Sequence, residues 1–211
     1  MASRNALSLT RIRSTAAMQT LYDGAAKSWQ GGIEKLGFPA AYDDLIRAAN
    51  PPTGGRVLDA GCGSGALAEV FLNRTGHAGP LDLLDLSPQM LAVAGARLPG
   101  ARLIEGAVGD ETAADTDYDV VLCAHVIEHT PDPQASLRWL HNRLRPGGML
   151  ILAVSRPHWC TTLVRWRWGH QSFAPNRMVG MLNAAGFAKA QHRHFPSGPP
   201  FRVSCGYIAI A

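Results

Sequence analysis

From Arg56 onward the chain alternates short apolar runs with stretches of helical spacing. The runs at 56–60, 81–86, 102–107, 118–124 and 149–155 have the length and apolar continuity of strands buried on both faces. Helical patterns fall between them, near 64–73, 88–98 and 133–144. Two of these helices start with matched chemistry, because Ser87-Pro88 and Asp132-Pro133 each place a capping side chain before a proline at the first helical position. Strands alternating with helices predict an α/β fold, a Rossmann-like doubly wound sheet that is mostly parallel with helices on both faces. Gly147-Gly148 supplies the turn into the fifth strand.

The flanks read differently. Residues 1–18 contain Arg4, Arg11 and Arg13 and no acid; the composition is that of a transit peptide, and a frayed or helical arm is the commoner explanation. A helical segment with Tyr22, Trp29 and Tyr42 follows, ending at Asn50-Pro51-Pro52-Thr53-Gly54-Gly55. Residues 1–55 are thus expected to form an N-terminal arm and cap, and 56–211 the main domain. Beyond Ser155, residues 156–175 are irregular and rich in Trp, Arg and His, the expected place for an insert. A helix near 176–185 stops at Gly186. Two last strands, 188–194 and 203–210, are joined by Pro196-Ser197-Gly198-Pro199-Pro200, too short for a crossover helix, so that pair should be antiparallel.

Composition narrows the class. A chain of 211 residues, 46% hydrophobic and 17% charged, suits one globular domain. No apolar run reaches the roughly 18 residues of a membrane span, and the first residues lack the apolar core of a secretory signal. Cys62, Cys123, Cys160 and Cys205 are scattered without a CxxC pair. They fit a reduced, cytoplasmic setting with neither a disulfide framework nor a cysteine-based zinc site. The net charge of +4 hides an asymmetry: through Asp132 there are 16 acids and 10 Lys/Arg, and from Pro133 onward 10 Lys/Arg, five histidines and no acid. The first part suits a cationic ligand and the last an anionic one, unless the halves neutralise each other on folding.

The strongest local signal is Val57-Leu58-Asp59-Ala60-Gly61-Cys62-Gly63-Ser64-Gly65. A buried strand runs into a glycine-rich turn that opens a helix, so backbone can approach a ligand without side-chain obstruction. With Ala66 and Asp85 the run also satisfies the dinucleotide pattern. Charge separates the two. A pyrophosphate favours a helix N-terminus free of carboxylates, whereas Asp59 favours the sulfonium and ammonium of S-adenosyl-L-methionine (SAM).

VLDAGCGSG resembles the first motif of class I SAM-dependent methyltransferases, and LDLLDLSPQML, YDVVLCAHVIEHTPDP and LRPGGMLILAVS are similar to the quinone-biosynthesis-type branch. The resemblance covers about 56–155 closely and implies a seven-stranded sheet whose antiparallel last strand is inserted between neighbours. It also implies that the amides of Gly61 and Gly63, with Cys62 between them, lie against SAM. Asp59 acts near its amino-acid portion and Asp85 accepts from the ribose hydroxyls. Leu86 and Met90 flank the adenine, and Cys123, Ala124 and His125 pass beside the methionine portion. The family usually has an acid after the glycine ending the third strand, and here Gly106 is followed by Ala107. Backbone near Ala107 and Val108, or Asp110 from the loop, is left to meet the adenine.

Other constellations compete. His125-Val126-Ile127-Glu128-His129 matches the zinc-peptidase pattern H-x-x-E-H, but Pro131 and Pro133 leave no room for the helix that chemistry needs; no metal is expected there, and a divalent metal at Glu128 and His129 aiding a catechol-like substrate is the lesser alternative. His125 is expected to face the pocket, with His129 structural. His158-Trp159 and Arg165-Trp166-Arg167-Trp168-Gly169-His170 fit a lid over an anionic aromatic molecule, as the family places substrate-recognition inserts after the fifth strand; a core-facing helix is the plain alternative. Tyr22 and Trp29 are candidates for cation–π closure over the sulfonium, and Lys27 for the cofactor carboxylate. In-line methyl transfer needs alignment and, for an O–H or N–H acceptor, a base. His125, His129, His158 and His170 are the candidates. The expected protein is a cytoplasmic SAM-dependent methyltransferase, monomer or homodimer, acting on O or N (or C) of a small anionic or aromatic acceptor. A nucleic-acid partner is not expected. The alternatives are an RNA or lipid-headgroup methyltransferase, a non-catalytic SAM-binding protein, and an NAD-dependent oxidoreductase, which Asp59 disfavours.

Overall fold

The computed structural model describes residues 31–158 and 171–211. Its helices are α1 (Phe38–Ala49), α2 (Ala66–Thr75), α3 (Pro88–Arg97), α4 (Pro133–Arg143), α5 (Pro175–Ala184) and α6 (Gly198–Val203). Its strands are β1 (Val57–Ala60), β2 (Leu81–Asp85), β3 (Arg102–Glu105), β4 (Tyr118–Ala124), β5 (Leu144–Ser155), β6 (Ala188–Arg193) and β7 (Ser204–Ile210). The seven strands form one sheet in the order β3-β2-β1-β4-β5-β7-β6. The first five pair in parallel, and β7 lies antiparallel to both β5 and β6. The doubly wound sheet with an inserted antiparallel last strand is therefore as expected.

The period of two along each strand sends neighbours to opposite faces, and both faces are covered. Leu58, Val121, Leu150 and Leu152 pack with Leu137 and Leu140 of α4 and Met178 and Leu182 of α5. Val57, Leu83, Val120 and Ile151 pack on the other face with Leu45 and Ile46 of α1, Phe71 of α2 and Leu91 of α3. Each such aliphatic side chain contributes about 1.5–3 kcal/mol by leaving water. The two capped starts form as their sequences require: Ser87 Oγ accepts from the Met90 amide at 3.1 Å, and Asp132 Oδ1 accepts from the Ala135 amide at 2.9 Å.

Three local features differ from the sequence pattern. The fifth strand begins at Leu144, and the glycine pair lies inside it as an irregularity: the register passes from Tyr118↔Leu144 to Val120↔Met149. Gly147 has φ 76°, and a Cβ on Gly148 would stand 2.9 Å from the carbonyl oxygens of Arg145 and Tyr118, so both positions need glycine. The second and third strands end at Asp85 and Glu105, freeing Leu86, Gly106 and Ala107 as loop. The proline-rich connection of the final pair forms the short α6, yet the pair is antiparallel. No helix among the described residues is long and apolar enough to cross a membrane.

Candidate functional site

The chain leaves β1 toward β2 and β3, then returns to place β4 and β5 on the other side. The crevice at this reversal, outside the carboxyl ends of β1 and β4, is where open α/β sheets bind ligands. Asp59, Asp85, Gly106, His125 and Ser155 stand at or just past the carboxyl ends of β1, β2, β3, β4 and β5 in turn. A shallow depression of about 450 Å³ lined by Pro39, Asp43, Val70, Asn73 and Arg74 lies toward the carboxyl end of α2, the opposite end from the glycine loop.

Gly61, Gly63 and Gly65 have φ of 74°, 53° and 81°, the left-handed region that side chains disfavour. A Cβ on Gly61 would stand 2.3 Å from Cγ2 of Val126, so glycine there lets the loop after β4 close on the loop after β1. The amides do not follow the sequence expectation. Gly61 and Cys62 both donate to Leu84 O, at 2.7 and 2.9 Å, and Gly63 donates to Asp85 Oδ2 at 2.8 Å. The loop's amides thus hold its shape and orient Asp85. Cys62 is buried, with its thiol pushed well up by burial and by Asp59 and Asp85.

Asp59 is 1% exposed. One oxygen is reached by the backbone of Ala68 in the first turn of α2, and Oδ2 has no hydrogen-bond partner. Burial, aided by the nearby Asp85 charge and opposed by the Ala68 hydrogen bond, raises its carboxyl to about 7. A buried, unsatisfied carboxylate oxygen is costly unless something cationic or hydrogen-donating meets it. Asp85 is half-buried, with Oδ1 accepting from the Ser87 amide at 2.9 Å. Leu86 is half-buried beside it, whereas Met90 is only 1% exposed and packs as core. Ala107 and Val108 are half-buried after β3. Asp110 does not reach inward: Oδ1 accepts from the Thr112 amide and hydroxyl at 2.9 and 2.8 Å, which holds its carboxyl low.

The second half of the site is a buried polar network. His125 adopts φ 58° just after β4, and its amide donates to Ala153 O at 2.8 Å. Its Nδ1 lies 3.0 Å from Glu128 Oε1, its Nε2 lies 3.2 Å from Ser204 Oγ, and Phe38 meets the ring edge-on. The ring is 22% exposed and Glu128 only 1%. Glu128 Oε1 also accepts from the Ser155 amide and hydroxyl, at 3.0 and 2.8 Å. Burial alone would raise the Glu128 carboxyl, but the His125 hydrogen bond and charge, with His129, hold it at about 2. An ionised Glu128 favours the tautomer with the proton on Nδ1 and the lone pair on Nε2.

The H-x-x-E-H stretch is a single 3-10 turn, Ile127–His129, not a helix. His129 is half-buried beside Glu128, Cys123 is fully buried core, and Ala124 is half-buried at the end of β4. His158 is half-buried past β5. Tyr22, Lys27, Trp29 and His170, with most of the 156–175 insert, lie outside the described residues. Ser155 and Ser204 were missed from sequence. A serine gives no local signal, and only the β5–β7 register, Ser155↔Ser204, brings them to His125 and Glu128.

Comparison with known proteins yields one family description, "Methyltransferase domain", matching residues 35–202. The ubiquinone biosynthesis O-methyltransferase of Xylella fastidiosa is 32% identical over 121 residues, covering 53% of this chain and 46% of the relative. That of Aeromonas salmonicida is 36% identical over 119 residues, covering 55% and 50%. The chain therefore spans about half the length of these curated relatives. Among solved structures, a SAM-dependent methyltransferase from Thermotoga maritima superposes with a TM-score of 0.72 at 14% identity, covering 92% of this chain and 99% of the other. That likeness is one of fold.

Proposed function

This chain belongs to the methyltransferase-domain family, and from that premise we propose that it is a class I SAM-dependent methyltransferase acting on a small anionic or aromatic molecule. The carrying observation is the carboxylate pair Asp59 and Asp85 at adjacent strand ends, one with a buried oxygen that has no partner. These residues fit the group. Asp59 meets positive charge, Asp85 accepts from the ribose hydroxyls, and Leu86, Ala107 and Val108 border the adenine. When bound, SAM supplies an electrophilic methyl on a cationic sulfur. The leaving thioether is neutral and needs no acid, so the protein's task is alignment and, for a hydroxyl acceptor, removal of one proton.

His125 is the base. Glu128 holds Nδ1, and Nε2 turns its lone pair to Ser204 Oγ until an acceptor hydroxyl replaces that contact. A non-glycine residue kept at positive φ by flanking hydrogen bonds is a pattern met at functional sites. His129 contributes charge to Glu128 rather than chemistry. The acid-free sequence from Pro133 onward, with its ten Lys/Arg, supports an anionic acceptor. The names of the relatives point to oxygen as the accepting atom. A cytoplasmic setting belongs to the same proposal and is supported by four cysteines scattered without a CxxC pair.

The test is transfer of a labelled methyl from SAM to a panel of phenolic carboxylates, catechols and amines, with RNA and anionic vesicles in parallel. Label in phenolic acids, reduced at least tenfold in His125→Gln with SAM affinity unchanged, is expected. Label only in RNA or lipid would overturn the small-molecule acceptor.

A further inference from the structure

Among the described residues, one cluster outside the SAM site brings three metal-ligating side chains together: His192, His194 and Cys205. The register explains it. In the β6–β7 ladder His192 pairs with Tyr207 and Arg193 with Gly206, so continuing one step sets His194 opposite Cys205. Alternate residues share a face, and the two histidines and the cysteine therefore point to the same side of the sheet. Their ligand atoms all lie within 4.8 Å of one another, and His192 Nε2 is 3.3 Å from Cys205 Sγ.

We propose that His192, His194 and Cys205 form a binding site for a borderline-soft divalent cation of the zinc type. Imidazole and thiolate are the donors such ions select. Bond lengths of 2.0–2.1 Å to nitrogen and 2.3 Å to sulfur make the edges of a tetrahedral site about 3.3–3.6 Å. The His192–Cys205 contact already has that length. The remaining contraction is roughly 1 Å, and it falls to His194, which is exposed and past the end of β6. His192 is half-buried and turns Nε2 toward Cys205 Sγ. The Cys205 thiol gives up its proton to water as the metal–sulfur bond forms. Three protein ligands leave a fourth position for water or another donor.

Arg156 sets a limit. Its Nη1 stands 3.4 Å from His194 Nδ1, and an incoming cation displaces the guanidinium against its repulsion. Affinity is therefore below that of closed four-ligand structural sites. The site is adjacent to Ser204, the hydroxyl partner of His125.

The test is titration of the full-length, tag-free reduced protein with Co²⁺, followed by competition with Zn²⁺. The expected result is a saturable 1:1 thiolate-to-cobalt absorption in the near ultraviolet, bleached by Zn²⁺. It should be lost in Cys205→Ser and at least tenfold weaker in His194→Asn. Because Cys205 is buried and its replacement can unfold the domain, the exposed His194→Asn variant, checked by circular dichroism and melting, carries the test in a folded protein. Absence of a saturable signal at millimolar Co²⁺, or a signal unchanged in His194→Asn, overturns the site. The readout involves no SAM, so its failure leaves the methyltransferase proposal standing and the converse also holds.

Discussion

Replacing Asp59 by asparagine should stabilise the cofactor-free protein at alkaline pH while weakening its hold on SAM. The carboxyl moves from an ordinary 3.8 to about 7 in the fold, chiefly through burial. A raised acid binds its proton more tightly when folded than when unfolded. Between about pH 4 and 7 the folded state retains a proton that the unfolded chain has lost, so stability falls as pH rises through that window and is level above it. At about 1.4 kcal/mol per pH unit, the full gap places on the order of 4 kcal/mol of destabilisation on the protein above pH 7. Asparagine keeps an oxygen for the Ala68 backbone and resembles the protonated acid, including its second polar atom without a partner, so that cost cancels. Urea unfolding from pH 4.5 to 8.5 is the assay; other carboxylates titrate alike in both proteins and drop out of the difference. Asp59→Asn should match wild type within about 1 kcal/mol near pH 4.5 and exceed it by about 2–4 kcal/mol at pH 8. SAM affinity should fall at least tenfold. Parallel pH profiles, or a variant less stable at pH 8, would refute the reasoning that Asp59 is an uncompensated buried acid awaiting a cation.

Gly61→Ala should cost about 1–3 kcal/mol through its positive φ and its clash with Val126, and Val126→Ala in the same chain should recover only the steric part, measured by thermal melting. Glu128, with its carboxyl held at about 2, contributes stability that is complete above its unfolded value near 4.5 and lost as pH falls through 2; Glu128→Gln should therefore flatten the acid limb of the unfolding profile, removing roughly 3 kcal/mol. His125→Gln should lower turnover at least tenfold in the labelled-methyl assay with little change in SAM binding; equal turnover would remove it as the base.

The fold was readable because each central strand is buried on both faces and appears as a short, largely apolar run, while Ser87-Pro88 and Asp132-Pro133 announce helix starts by local chemistry. Asp59 and Asp85 were readable for a similar reason: both sit where a strand ends and a loop begins. What was hidden depends on contacts distant in sequence. The Gly61 and Gly63 amides look available in the motif, yet Leu84 O and Asp85 Oδ2 take them. Asp110 sits close enough in sequence to replace the missing adenine acid, but a two-residue turn to Thr112 holds it. The H-x-x-E-H string suggests metal, whereas Glu128 is anchored to Ser155, 27 residues away. His192, His194 and Cys205 show no metal-ligand spacing, because the third member arrives through antiparallel register.

The most direct measurement is calorimetric titration of the purified protein with SAM and with its demethylated product, S-adenosylhomocysteine, using NAD as control. Saturable binding of both, lost in Asp85→Ala, with no heat from NAD, is the predicted result. Binding of NAD without SAM would contradict the assignment and require another role for Asp59.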